Sequence, residues 1–524
     1  MLQFFGHSMS CKVLESGAIV VLACLLLRWA VSLHPYSGAG KKPMYGDYEA
    51  QRHWQEITVN LPISSWYTNS TTNDLLYWGL DYPPLTAYHS LLNGKIAEIL
   101  NPDYVALNVS RGFESYEHKV FMRYTVFLCD LLIFIPAVYF FKKVTQNRLI
   151  QSTGPSSKLC YMALLAYPGL YLIDYGHFQY NNVSLGLFIA SVAAVIDNFD
   201  CLGSFLFSLA LNYKQMELYH ALPFFFFLLI KCLREKSLQL SVWKLCGVGA
   251  SVIGTFIVVW SPYLYEISTV SQVLNRVFPI GRGLFEDKVA NIWCSLSILI
   301  KFKILLNNSQ MALICLMSTA LFSLPSCINL FKNSSGEKFK YSLVNVSIVF
   351  FLFSYHVHEK SILLVAIPAC LIYGRDLVIL NWFFVVSVFS MMPLLVKDGL
   401  MIPSLALVAL WMLLHELALA YSVSMKHFTP FDGTYSVNPD DELTSLASVY
   451  QKYFNIGYAG SLACMASLTA AVIVLDPPER YPDLYPVLIA LVSCGHFVAF
   501  AVYFHYRQFT LSAEKVFRKS KKVN

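Results

Sequence analysis

Apolar runs of near-spanning length recur from one end of the chain to the other, and nothing else in the sequence constrains the fold as strongly. They fall at about 16–33, 120–141, 159–174, 183–198, 202–212, 218–232 and 243–262. Others follow at about 290–303, 311–331, 341–356, 361–374, 376–395, 400–424, 455–475 and 485–506. A bilayer core offers the backbone no water to bond with, so a crossing segment must satisfy its own N–H and C=O groups as a helix of roughly 20 residues. The pattern therefore implies an all-α polytopic membrane protein. Composition agrees: 13% of the 524 residues are charged and 56% are hydrophobic, where a soluble domain is about a quarter charged. Arg28 interrupts the first run, and Ala30-Val31-Ser32 makes a poor cleavage site, so a retained signal anchor is expected rather than a removed leader.

Basic residues orient the spans. The groups Lys142, Lys143, Arg148 and Lys158; Lys231, Arg234, Lys236 and Lys244; Lys332, Lys338 and Lys340; and Lys515, Arg518, Lys519, Lys521 and Lys522 should all lie in the cytosol. Fifteen crossings would put the last two groups on the wrong side. Treating 290–303 as re-entrant or surface-lying leaves about 14 transmembrane helices, both termini in the cytosol. One polytopic membrane domain over 1–524 is expected, with a large first lumenal loop at 34–111 and a cytosolic connector at 425–452. The net charge of +6 then reports topology, and no nucleic-acid partner is expected. The 13 cysteines are scattered, and none lies between His34 and Arg111, which excludes a disulfide scaffold in that loop. Asn69-Ser70-Thr71 and Asn108-Val109-Ser110 are glycosylation sequons. The terminal Lys521-Lys522-Val523-Asn524 resembles the cytosolic retrieval signal of endoplasmic-reticulum membrane proteins, the alternative being a plain basic tail.

This topology gathers the polar residues on one face. The far-side segments are the opening loop, Asp174 to Asn181, Asn212 to Glu217, Pro279 to Lys288, and His356 to Ser361. Ionisable groups are costly at a membrane, so such a collection is a functional hypothesis by default. No P-loop, GxSxG elbow, HExxH or DxD pair is present, which removes several enzyme classes. In the run from Gly46 to Trp54, Asp47 and Glu49 stand before Arg52 and His53. A carboxylate beside cations stays ionised and can act as a general base. Arg282, His358 and Lys360 could hold a departing phosphate, and Trp54, Trp66, Tyr67, Trp78 and Tyr82 offer flat faces to sugar rings. Each has an alternative: an Asp47–Arg52 loop pair, an aromatic belt at the interface, an ordinary helix end at 358–360. A transporter or lipid flippase would instead show inverted repeats and broken, charged helices at mid-membrane; no such repeat stands out.

The run Tyr36-Ser37-Gly38-Ala39-Gly40 through Gly46-Asp47-Tyr48-Glu49-Ala50-Gln51-Arg52-His53-Trp54 resembles the first lumenal loop of the eukaryotic lipid-linked-oligosaccharide glucosyltransferases. So do Trp78-Gly79-Leu80-Asp81-Tyr82-Pro83-Pro84-Leu85-Thr86-Ala87-Tyr88-His89-Ser90, Asp174 to Asn181, Asn212 to His220, Gly283 to Asn291 and His358-Glu359-Lys360-Ser361. The resemblance spans Tyr36 to Ser361 and is looser beyond. It implies a GT-C fold, dolichyl-phosphate-glucose as donor, and the terminal mannose of a dolichyl-pyrophosphate-linked high-mannose oligosaccharide as acceptor. It implies an α-1,3 bond made with inversion, no cofactor or metal, and a lumenal site in the endoplasmic reticulum membrane. Within the family the loop looks like that of enzymes adding the first glucose; the relatives adding the second are the alternative. By motif position Asp47 would be the base. Glu49, Arg52, His53, Trp54, Asp81, Tyr82, Arg282, His358, Glu359 and Lys360 would bind substrate.

Overall fold

The computed structural model describes residues 17–149, 156–279, 288–424 and 442–511, and every regular element among them is helical. Among the described residues, seven helices are long and apolar enough to cross a membrane: Tyr116–Asn147, Gln215–Leu233, Leu238–Tyr263, Asn308–Lys332, Met401–Ser422, Phe454–Val474 and Leu484–Thr510. Gly17–Ser32, Asn181–Ile196 and Leu377–Ser390 are apolar but shorter. The expectation of about 14 crossings counted long and short segments together; length alone identifies these seven. Residues 290–303 hold only the short helices Ile292–Leu296 and Phe302–Leu305, far below spanning length.

Eight elements position the site: α1 (Gly17–Ser32), α2 (Asp47–Asn60), α3 (Pro84–Leu100), α4 (Tyr116–Cys129), α5 (Asn181–Ile196), α6 (Asp200–Tyr213), α7 (Gly336–Phe353) and α8 (Leu363–Cys370). Helix α7 is buried almost throughout, as an all-round apolar sequence requires. Its one central amide, Asn345, donates to Gln508 Oε1 (2.7 Å) and the Phe504 carbonyl (3.1 Å), since a lone polar group in hydrocarbon would be costly. By contrast Leu238–Trp260 turns Trp243, Ile253 and Val258 outward, where lipid would cover them.

Arg28 now has a partner. It is fully buried on α1, with Nε 2.6 Å from Asp130 Oδ2, and its Nη1 donates to the Leu165 carbonyl (3.1 Å). Tyr175 donates to the same carboxylate oxygen (2.5 Å). The interruption in the first apolar run thus ties α1 into the bundle.

The stretch expected as a loop at 34–111 carries two α-helices, α2 and α3. Asp47 and Glu49 occupy the first turn of α2, where the helix dipole favours negative charge. Pro84 opens α3, its fixed φ suiting a first helical position. The two helices pack on each other and share an apolar core with Trp66, Tyr67, Leu80, Trp260 and Tyr263. Trp54, Trp66 and Tyr67 are 4%, 1% and 3% exposed. Their faces pack into this core, and burying such rings stabilises by more than leaving them exposed at an interface.

Candidate active site

Asp47 is the first residue of α2, and the chain before it doubles back tightly to put it there. A Cβ at Gly46 would lie 2.5 Å from Ser37 Oγ and 2.6 Å from the Ser37 carbonyl oxygen, so only glycine permits this approach. Ser37 Oγ accepts from the Asp47 N–H (3.3 Å), and the Ser37 N–H donates to the His177 carbonyl (3.0 Å). Asp47 and His177 are thereby pinned side by side.

The histidine comes from a wide π-helical turn, Tyr171–Phe178, a form that recurs at functional sites. The turn ends at Phe178 with φ +87°, a backbone state that costs a bulky residue about 1–3 kcal/mol. It aims the residues on either side at one target. His177 Nε2 lies 3.0 Å from Asp47 Oδ2, and the Gln179 amide donates to the same oxygen. Lys360, in the tight turn Glu359–Ile362 between α7 and α8, pairs with it as well. On its other side His177 Nδ1 meets Asp398 Oδ2 at 2.6 Å, while Lys360 Nζ stands 3.4 Å from His177 Nε2. Three donors thus converge on Oδ2 of Asp47.

The electrostatics follow from this geometry. Burial works against ionising Asp47, but Lys360 and then His177 outweigh it and hold the carboxyl well below its usual range. About a fifth of its side chain stays exposed, enough for a substrate atom to reach. Burial also disfavours a charged His177, yet Asp47 and Asp398 raise its pKa above the ordinary 6.5, against the opposition of Lys360. A narrow cleft adjoins, lined by Gln51, Tyr82, Gln179, Tyr180, Tyr213 and Lys214. Lys214 Nζ sits 5.0 Å from the centre of the Tyr82 ring and donates to Asn181 Oδ1 (2.6 Å). Burial, with the charge of Lys360 added, pushes its pKa down to about 8.

Of the residues expected from sequence, Asp47 and Lys360 come together, with Tyr82 on the adjoining cleft and His358 and Glu359 immediately before Lys360 in its turn. Glu49, Arg52, His53 and Trp54 do not join them. Arg52 pairs with Glu49 (2.6 Å) and Glu56 (2.8 Å) and donates to Ser110 Oγ (2.6 Å); His53 Nδ1 lies 3.2 Å from Glu56; Trp54 donates to the Trp78 carbonyl (2.8 Å). All four are buried and hold the α2–α3 cap together, apart from the network around Asp47. Helical geometry is the reason for three of them: at 100° per residue Glu49, Arg52 and His53 point away from Asp47, whereas Gln51 at i+4 shares its face; Trp54 at i+7 is on that face too, two turns on, and is taken up by the Trp78 carbonyl. Asp81 is half-buried, its carbonyl accepting from Gln215 Nε2 (3.1 Å). Arg282 lies outside the described residues.

Residue-level reasoning missed His177, Gln179, Lys214, Gln51 and Asp398. The first three lie in far-side segments the sequence had marked. Gln51 was findable from its spacing. Asp398, in Val396-Lys397-Asp398-Gly399, carries no local signal.

Residues 24–503 match the family model described as the ALG6, ALG8 glycosyltransferase family. The chain is 49% identical over 506 residues to the mouse (Mus musculus) dolichyl pyrophosphate Man9GlcNAc2 alpha-1,3-glucosyltransferase, covering 93% of this chain and 95% of that one. It is 48% identical over 498 residues to the Gallus gallus protein of the same name, with 93% and 95% covered. A probable enzyme of that name from Drosophila melanogaster is 45% identical over 489 residues, with 93% and 97% covered.

Proposed function

Because the chain belongs to the ALG6, ALG8 glycosyltransferase family, we infer that it transfers glucose from dolichyl-phosphate-glucose to the terminal mannose of dolichyl-pyrophosphate-linked Man9GlcNAc2. The product is an α-1,3 bond, and the enzyme is a multi-pass protein of the endoplasmic reticulum membrane acting on the lumenal side. The names of the relatives support the acceptor. The observation that carries the mechanism is the convergence of His177, Gln179 and Lys360 on one oxygen of Asp47.

A β-linked donor and an α-linked product require a single displacement with inversion, and hence one base on the acceptor side. Asp47 Oδ1 takes the proton from the mannose hydroxyl as its oxygen attacks C1 of glucose. The C1–O bond to the phosphate breaks, and its electron pair leaves with dolichyl phosphate. Negative charge grows on that phosphate, and Lys360, next to the base, is the cation placed to meet it. A phosphate arriving there competes with Asp47 for the ammonium. As Lys360 shifts toward the donor, Asp47 loses the charge that most depresses its pKa and becomes a stronger base. His177 and Gln179 keep Oδ2 oriented throughout.

The test is transfer by the purified chain with both lipid-linked substrates. Asp47→Asn should lose at least about 100-fold in kcat, the lower end of what a positioned base contributes. Activity within a few-fold of wild type would move the base elsewhere. Transfer to the monoglucosylated acceptor but not to Man9GlcNAc2 would assign the chain to the second glucose instead.

A further inference from the structure

A second cavity lies behind the catalytic network, between the last turn of α1 and the first turns of α4. It measures about 130 Å³ and is lined by Trp29, Lys119, Arg123, Tyr124, Phe127 and Tyr175, among others. Its ten lining residues include two cations and no carboxylate. Lys119 and Arg123 are four apart on α4, a like-charge spacing that is unfavourable unless something offsets it. Arg123 is 5% exposed, and its Nε and Nη1 are buried without a partner. Its remaining nitrogen, Nη2, donates to the carbonyls of Gly176 (2.9 Å) and Pro35 (3.2 Å). Lys119 spends one of three donors on the Leu33 carbonyl (3.0 Å). The Arg123 guanidinium lies 5.6 Å from the centre of the Phe178 ring, and with Lys119 it makes this a cavity lined by two cations and no carboxylate, a charge that suits an anion. The rim is apolar: Trp29, Leu33 and Tyr124 are all about half exposed, on helices that face lipid.

An anionic centre above an apolar, membrane-facing wall fits a phosphate-bearing polyprenyl lipid. The reaction uses two such lipids, and geometry separates them. The donor phosphate is bonded to the transferred glucose, so it must lie within a few ångströms of Asp47, on the Lys360 side. The acceptor pyrophosphate is joined to its reacting mannose through an oligosaccharide and is free to sit apart. Arg123 reaches the Pro35 and Gly176 carbonyls, in the segments leading to Ser37 and His177, and touches neither Asp47 nor Lys360 in the bonds it makes. We propose that this cavity seats the pyrophosphate of the lipid-linked acceptor, with the polyprenyl chain running along Trp29 and Tyr124; the assignment rests on the transferase reading above.

The experiment uses the full chain in detergent, with wild type, Lys119→Glu, Arg123→Gln and Tyr124→Ala. In steady-state transfer the KM for the lipid-linked acceptor should rise about 10- to 100-fold in the charge variants, the scale of a lost charge-assisted bond, with donor KM within about twofold in Lys119→Glu. Arg123 also braces backbone, so Lys119→Glu at the cavity's edge is the decisive variant if Arg123→Gln fails to fold. A second readout is independent of turnover: retention of glycan-free dolichyl pyrophosphate, measured by native mass spectrometry, should fall at least about fivefold in Lys119→Glu. Phosphatidylserine at the same molar fraction should not displace it. Unchanged acceptor KM, a rise confined to donor KM, or equal displacement by phosphatidylserine would overturn the assignment. Retention by wild type without any glucosyl transfer would leave the cavity standing and refute the transferase reading instead.

Discussion

Replacing Asp398 with asparagine removes a charge and almost no volume, so it isolates what that carboxylate does to His177. The contact is 2.6 Å between side chains that are 2% and 3% exposed. A buried hydrogen bond to a charged group contributes about 1.5–3 kcal/mol, or about 10- to 150-fold in rate if it is needed in the transition state. The chemistry points the same way. With Asp398 present, each imidazole nitrogen faces a carboxylate and the ring holds its proton more tightly than usual. With asparagine there, the ring loses its proton at lower pH. A neutral ring that donates through Nδ1 then turns a lone pair on Nε2 toward Asp47. Asp398→Asn should therefore lower kcat about 10- to 150-fold, leave donor KM near wild type, and move the alkaline limb of the kcat profile to lower pH. Stability carries a separate signature. A raised His177 pKa contributes stability that is fully present below the unfolded value and is lost as pH rises through the folded one. The melting deficit of Asp398→Asn should thus be largest below about pH 6.5 and shrink above it. A kcat within twofold of wild type with an unmoved alkaline limb would refute the positioning role.

Three other outcomes follow from named contacts. Arg28→Met leaves Asp130 buried without its cation and should destabilise the detergent-solubilised protein by about 3–5 kcal/mol, read as a lower unfolding midpoint; Arg28→Met with Asp130→Leu should recover much of it, and equal loss in both would refute the pairing. Lys214, pushed down to about 8, is charged below that pH and neutral above it, so substrate KM should rise as pH passes about 8; Lys214→Gln should raise KM at pH 7 and flatten the profile, and a parallel profile in the variant would exclude Lys214. Asn69 and Thr71 are both exposed, whereas Ser110 is 1% exposed and bonded to Arg52 and Glu56. Asn69 should therefore carry the glycan and Asn108 should not, checked by glycosidase shift after each Asn→Gln change.

Much of the fold was legible because hydropathy acts locally. A run of apolar residues must be a helix in lipid whatever its neighbours do, so the polytopic class could be read before any contact was known. Segments such as 174–181 and 212–217 stood out by the same logic, as polar stretches at the ends of apolar ones. The opening loop was harder. Its helices are amphipathic, and the apolar side of α2 packs inside a cap whose partners, Trp260 and Tyr263, lie some two hundred positions away in the chain. Arg52 illustrates the failure. Beside Asp47 in sequence it looks like a partner for the base, yet it faces Glu49 and Glu56 because of where the helix turns it.

The sequence alone determined the membrane class, the helical fold and the segments that supply the chemistry, because composition and periodicity are properties of a stretch of chain. Only the tertiary structure decided which carboxylate is held by which cation. Asp47, His177, Lys360 and Asp398 lie on four separate segments, and nothing in any one of them specifies the other three. Coulomb and hydrogen-bond energies depend on distance in space, and in this bundle those distances are set by Gly46 at its tight approach to Ser37, the π-helical turn ending at Phe178, and the packing of α7 and α8 around Lys360.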